Sequence, residues 1–263
     1  MSELFQFVFF QHALLMGLLC SVACGVIGSY VVVKRISFIS GSIAHSAFGG
    51  IGLSYLLGFN TLLGATGFGM VTALLVGVVK ERFKQQEDTL IGVIWSLGMA
   101  IGILCISLSQ GYVGDLFSYM FGNILLVSHA DLVVVAILDV VVVSGVVVFF
   151  YPLRAITFDE TYAKVLNLPV SRLYVFLLEL ITLTTVILLK AVGIILVIAL
   201  LTLPAASARN VTQDLKTMMG LAVLLGAIAT TSGIWMSAFL NLPSGPLIIV
   251  ISSAIYLVTL FRH

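Results

Sequence analysis

The chain has 263 residues, 61% of them hydrophobic and only 9% charged, with 12 Lys and Arg against 11 Asp and Glu for a net charge of +1. A soluble domain carries about 25% charged residues, so a water-facing exterior is excluded and lipid must be the solvent for most of the surface. A charge balance so near zero also excludes the basic field of a nucleic-acid binder.

A membrane-crossing helix needs about 20 apolar residues, and cutting the sequence where charges cluster predicts about nine spans: 8–33, 36–58, 61–79, 89–109, 132–153, 173–189, 191–208, 217–239 and 245–261. The opening MSELFQFVFFQHALL lacks the basic region of a cleavable signal, so the first span is expected to be retained. The stretch 114–127, GDLFSYMFGNILLV, has 14 residues and is too short to span; it is expected to be re-entrant or interfacial. The fold class this predicts is all-α, a polytopic transmembrane helix bundle of 8–9 spans in a single domain over 1–263, with one short cytoplasmic helix.

Basic residues collect in loops on the cytoplasmic side. With the amino terminus outside, alternate loops place Lys34, Arg35, Lys80, Arg82, Lys84, Arg154, Lys164, Arg172, Arg209, Lys216 and Arg262 inside, which is 11 of the 12, and only Lys190 outside. The predicted topology therefore has an outer amino terminus and an inner carboxyl terminus. Glycines recur at helix-packing intervals (Gly25 and Gly28, Gly49 and Gly52, Gly64, Gly67 and Gly69, Gly98 and Gly102), the spacing that lets helix backbones approach closely in lipid.

The most charged interval is 154–172, RAITFDETYAKVLNLPVSR, on the positive side. Thr157 with Asp159 and Glu160 makes a helix start with acids in the first turn, and Asn167 with Pro169 ends it. The product is a cytoplasmic helix of about ten residues between two spans, or else an ordered loop.

Ionisable groups inside spans cost about 2.5–3.5 kcal/mol each on insertion scales, which marks them as candidates for function. His45 sits mid-span with Ser42 and Ser46 beside it, open between a ligand for a borderline metal such as zinc and a hydrogen-bonded packing residue. Asp139 and Glu179 are the other intramembrane acids, expected to face the bundle interior, to be protonated or to find a partner. Asp115, Asp131 and His129 fall on the outer side as solvated helix-start charges or a partner contact, and His12 is interfacial. Cys20, Cys24 and Cys105 lie in apolar runs without ligand spacing and are small core residues. No phosphate-binding loop, H-E-x-x-H or nucleophile elbow occurs, so the chain is expected not to be an enzyme; a pump of this composition takes its energy from an ion gradient or a separate ATPase.

Five motifs in order carry a resemblance over nearly the whole chain: GVIGSYVVVKRISFISGSIAHSAFGGIG, DTLIGVIWSLGMAIGI, FSYMFGNILLVSHADL, FDETYAKVLNLPV and AVGIILVIALLTLPAASARN. The sequence resembles the integral membrane permease of bacterial ABC importers for zinc, manganese or iron. The resemblance implies a second copy of the permease, two cytoplasmic ATPase subunits, an extracytoplasmic metal-binding protein and a place in the bacterial inner membrane. It implies no bound cofactor, with zinc expected first as the transported ion and manganese or iron next. The helix over 157–167 becomes the coupling helix, with Thr157, Phe158, Asp159, Glu160, Tyr162 and Lys164 as ATPase contacts. His45 becomes the pathway residue. The family places an Asp one turn before that His; here Gly41 stands in its place. The ion then passes on looser contacts to His45, Ser42 and pore carbonyls, or Asp139 or Glu179 takes over, or the cargo differs within the metal class. The rival expectations are a siderophore- or corrinoid-type ABC permease and a gradient-driven secondary transporter.

Overall fold

The computed structural model describes residues 6–83, 87–109 and 122–261. Eleven helices occupy the described residues: α1 (Val8–Val33), α2 (Ser37–Leu57), α3 (Thr61–Phe83), α4 (Glu87–Leu108), α5 (His129–Val148), α6 (Phe150–Phe158), α7 (Glu160–Val165), α8 (Val170–Val192), α9 (Ile194–Val211), α10 (Leu215–Leu240) and α11 (Ser244–Leu260). No strand occurs among them. Seven of these helices are long and apolar enough to cross a membrane; α2, with 21 residues, and α11, with 17, are the helices at the other two predicted spans. The chain is thus a polytopic helical membrane protein.

The helices fall into two units. One contains α1, α5, α9, α10, α11, the last residues of α8 and a 3-10 turn at Ile124–Leu126. In it α1 is central: a Cβ at Gly28 would collide with the Leu201 carbonyl on α9, and one at Gly25 would strike Val223 on α10. Ser21 of α1 and Thr230 of α10 meet at 3.3 Å between hydroxyl oxygens. The end of α9 and the start of α10 gather Ala205, Ala208, Met218 and Ala222, against which Val32 and Val33 at the end of α1 pack. Gly193, at φ 83°, is the single residue between α8 and α9, a left-handed turn that a side chain would strain.

The other unit contains α2, α3, α4, α6, α7 and α8 as far as Ile187. Its core helix is α2, buried along most of its length although Ser and Gly make it less apolar than a typical span. Those small residues are what its neighbours require: a Cβ at Gly50 would meet the Gly64 carbonyl on α3, and one at Gly52 the Gly102 backbone on α4. At these positions the predicted glycine spacings serve the close backbone approach that holds helices together in lipid, whereas a Cβ at Gly69 would meet side chains of α8 and one at Gly67 nothing within 4 Å.

Two expectations change at the loop. The span predicted over 132–153 stops at Val148, and a separate helix, α6, follows from Phe150; Pro152 sits in its first turn, where a missing N–H costs no hydrogen bond. The ten-residue helix from Thr157 is instead α7, six residues long, because Asp159 rather than Thr157 caps it. Thr157 lies in the last turn of α6, its hydroxyl donating to the Leu153 carbonyl at 2.7 Å. Asn167, at φ 56°, closes the turn after α7 as expected. Of the short segment at 114–127, residues 114–121 lie outside the described residues; the remainder is the turn capped by Asn123, whose Oδ1 accepts from the Leu125 N–H at 3.0 Å. Lys84, Arg262 and Asp115 also lie outside the described residues.

Candidate functional site

His45 lies on the buried α2 with its ring stacked on Trp95 of α4, centroids 4.1 Å apart and planes inclined by 14°. Its Nδ1 is buried and has no hydrogen-bond partner. The hydroxyls on either side are committed elsewhere: Ser42 donates to the Ile91 carbonyl at 3.0 Å and Ser46 to the Ile43 carbonyl at 2.9 Å. Gly98 allows this arrangement, since a Cβ there would run into the Ser46 backbone. One face of the imidazole is therefore fixed by an aromatic plate, worth about 0.5–1.5 kcal/mol, while a ring nitrogen stays unpaired. An unpaired buried polar atom costs about 1–3 kcal/mol, and a neutral imidazole nitrogen is a transition-metal ligand. Gly41 is buried one turn away on the same helix.

The two acids are on different helices and in different units. Asp139 is on α5, in the unit that does not contain His45, and it is 7% exposed. Glu179 is on α8, half-buried, with Oε2 unpartnered. Among the described residues no three His, Cys, Asp or Glu side chains gather as a metal site.

The loop residues form a second locus, outside the apolar spans. Asp159 Oδ1 accepts from the Thr161 and Tyr162 N–H groups at 2.8 and 3.0 Å, a cap worth about 1 kcal/mol. Ala163 is fully buried and anchors α7. Phe158, Tyr162, Val165 and Leu166 turn outward, 49–74% exposed, and Lys164 and Asp159 are exposed beside them. Glu160 faces the other way: its Oε1 accepts from Lys80 Nζ of α3 at 3.2 Å, and the same ammonium lies 3.9 Å from the ring centre of Tyr174 on α8. These contacts line a cleft of about 220 Å³ that also holds Glu81, Lys164 and Ser171. Sequence reasoning picked Glu160 but missed Lys80 and Tyr174 as its partners, and it missed Trp95. The signal for Trp95 was present, an aromatic residue inside an otherwise aliphatic and small-residue motif; nothing local marked the other two.

The family model described as the ABC 3 transport family matches residues 6–263. An uncharacterized membrane protein of Synechocystis is 46% identical over 264 residues, spanning 100% of this chain and 94% of the relative. The manganese transport system membrane protein MntC of Listeria monocytogenes is 35% identical, spanning 98% of this chain and 92% of its own length. Among solved structures, PsaBC from Streptococcus pneumoniae in complex with Fab superposes with a TM-score of 0.86 at 30% identity, covering 98% of this chain and 94% of that one. By sequence along its whole length and by fold, the chain belongs to the ABC 3 transport family, the metal-ion ABC permease family that its motifs resemble.

Proposed function

We propose that the chain is the permease of an ABC importer that carries a divalent transition-metal ion inward past His45, with manganese as the first cargo to test and zinc and iron as its competitors. The observation that carries this is the stacked imidazole of His45, one ring nitrogen unpaired in a buried, small-residue helix. The full-length similarity to a protein named for manganese transport supports the choice of ion.

The functional assembly pairs two permeases around one pathway, with two ATPase subunits on the side of α6 and α7 and a metal-binding protein on the other. That side is cytoplasmic by the distribution of basic residues, which puts the amino terminus outside; the membrane is the bacterial cell membrane. The outward apolar face made by Phe158 at the end of α6 and Tyr162 and Val165 of α7, with Asp159 and Lys164 beside it, is the seat for the ATPase. ATP binding draws the ATPase subunits together, α7 moves with them, and the pathway near His45 changes the side to which it opens. A single imidazole holds the ion loosely, which transport requires, because an ion held too well does not leave.

The test is uptake of radiolabelled manganese by proteoliposomes containing permease, ATPase and delivery protein. ATP-dependent accumulation is expected, competed by zinc or iron according to selectivity. Loss even of an outer-shell partner changes metal handling about 10- to 100-fold, so His45→Ala is expected to lower uptake by about tenfold or more while the complex still assembles. Wild-type rates in that variant would remove His45 from the pathway.

A further inference from the structure

Two histidines that the transport reading does not use stand together in the unit built on α1. His12 is in the second turn of α1 and His129 opens α5, and their ring centroids are 6.1 Å apart at an interplanar angle of 61°. His12 Nδ1 lies 3.4 Å from the Val127 carbonyl. A carbonyl only accepts, so this contact puts a proton on Nδ1, and in the neutral ring Nε2 keeps its lone pair. This is the device by which metal-binding histidines have their tautomer and orientation set, one ring N–H donated to a backbone carbonyl and the other nitrogen left to the ion.

The spacing is within reach of an ion between them. With a metal about 2.1 Å from one nitrogen of each ring, two imidazole centroids stand about 5.3 Å apart at a tetrahedral angle and at most about 6.5 Å apart; the observed 6.1 Å lies inside that reach. The neighbouring acid is not free to complete the shell: Asp131 Oδ1 accepts from Lys190 Nζ at 2.9 Å, and Oδ2 accepts from the Ser128 hydroxyl at 2.6 Å. That pair neutralises its own charge and leaves the two imidazoles as protein ligands, with water in the remaining positions. His129 is exposed and His12 half-buried, so the gap is open to solvent.

We infer that His12 and His129 form a two-imidazole site for a divalent transition-metal ion at the end of this unit where α1 and α5 begin. Imidazole selects such ions over calcium and magnesium, which take oxygen ligands. Two protein ligands give a weak, exchangeable site. Its role as an entry station rests on the permease proposal and its outer placement; the binding itself does not.

The experiment uses the whole chain in lipid nanodiscs, treated with diethyl pyrocarbonate, which acylates unprotonated imidazole nitrogens, and mapped by peptide mass spectrometry. Zinc chloride is the probe and magnesium chloride the control. At free zinc ten times the dissociation constant the unbound fraction falls about tenfold, so modification of His12 and of His129 should slow together by about that factor and be indifferent to magnesium. In His129→Ala the protection of His12 should vanish. Equal rates with and without zinc in the unaltered chain would overturn the site, and this arm needs no variant to fold. Protection of His12 that persists in a normally folded His129→Ala chain would overturn it as well, leaving simple ring packing. Protection without metal-dependent uptake in the reconstituted complex would uphold the site and remove the permease proposal.

Discussion

At the scale of single residues, position 41 carries the sharpest consequence. Gly41 and His45 are four apart on α2 and so share a face, and the family's acid would stand one turn from the imidazole. On the permease proposal only the softer of two possible ligands, His45, is present, with Trp95 stacked on its ring. Manganese favours carboxylate and carbonyl oxygen while imidazole suits zinc and iron, so the missing acid bears directly on which ion is held and for how long. Gly41→Asp is expected to raise the metal retained by the purified permease after desalting, by the roughly 10- to 100-fold that an added partner of a metal-binding imidazole is worth, and to slow uptake because release becomes limiting. Elemental analysis of the desalted protein checks the first effect. Unchanged metal content would mean that this face of α2 does not hold the ion.

At the scale of elements, α7 is short but held. Its capping aspartate fixes its start, Ala163 fixes its buried side, and Glu160 ties it to α3 through Lys80, which also rests on Tyr174 of α8. The Lys80–Glu160 pair is partly exposed and worth under about 1 kcal/mol, with the cation–π contact adding about 0.5–1 kcal/mol. Those values are too small to decide folding. They are large enough to decide whether a displacement of α7 is passed to α3, which packs on α2 through Gly50 and Gly64. Glu160→Lys is expected to leave the complex assembled and ATP hydrolysis running while uptake drops several-fold; the exchange Lys80→Glu with Glu160→Lys should recover much of it. Uptake and hydrolysis measured on the same proteoliposomes check this, and equal uptake in Glu160→Lys would show that the link carries no motion.

At the scale of the whole molecule, the topology rests on eleven basic residues on one side and Lys190 on the other. Each unit agrees internally with that alternation. In one, Lys80 near the end of α3 meets Glu160 of α7 and Tyr174 at the start of α8, three positions assigned to the same side. In the other, Lys190 near the end of α8 meets Asp131 at the start of α5, where the opposite side was expected. A membrane-impermeant maleimide should therefore label Ser128→Cys in intact cells and Thr161→Cys only in inverted vesicles. The three native cysteines lie within α1 and α4, and the unsubstituted chain supplies the background. The opposite pattern would invert the topology.

The sequence by itself determined what chain energetics make local. Apolar runs bounded by charge gave nine spans with ends mostly within three residues of the helices found, because a span must match the thickness of the hydrocarbon and a charge inside it costs several kcal/mol. Scarcity of charge made His45 visible and placed the loop at 154–172, and ordered motifs along the full length identified the family. The end of the fifth span was misplaced because Phe149–Leu153 is as apolar as the helix before it, and only the break at Phe149 separates α5 from α6. Tertiary structure alone decided the partners. Trp95 lies 50 positions from the ring it stacks on, Lys80 lies 80 from Glu160, and His12 lies 117 from His129. No spacing rule reaches across such separations, since they are set by which glycines let which backbones close on one another, and that is a property of the packed helices rather than of any segment read alone.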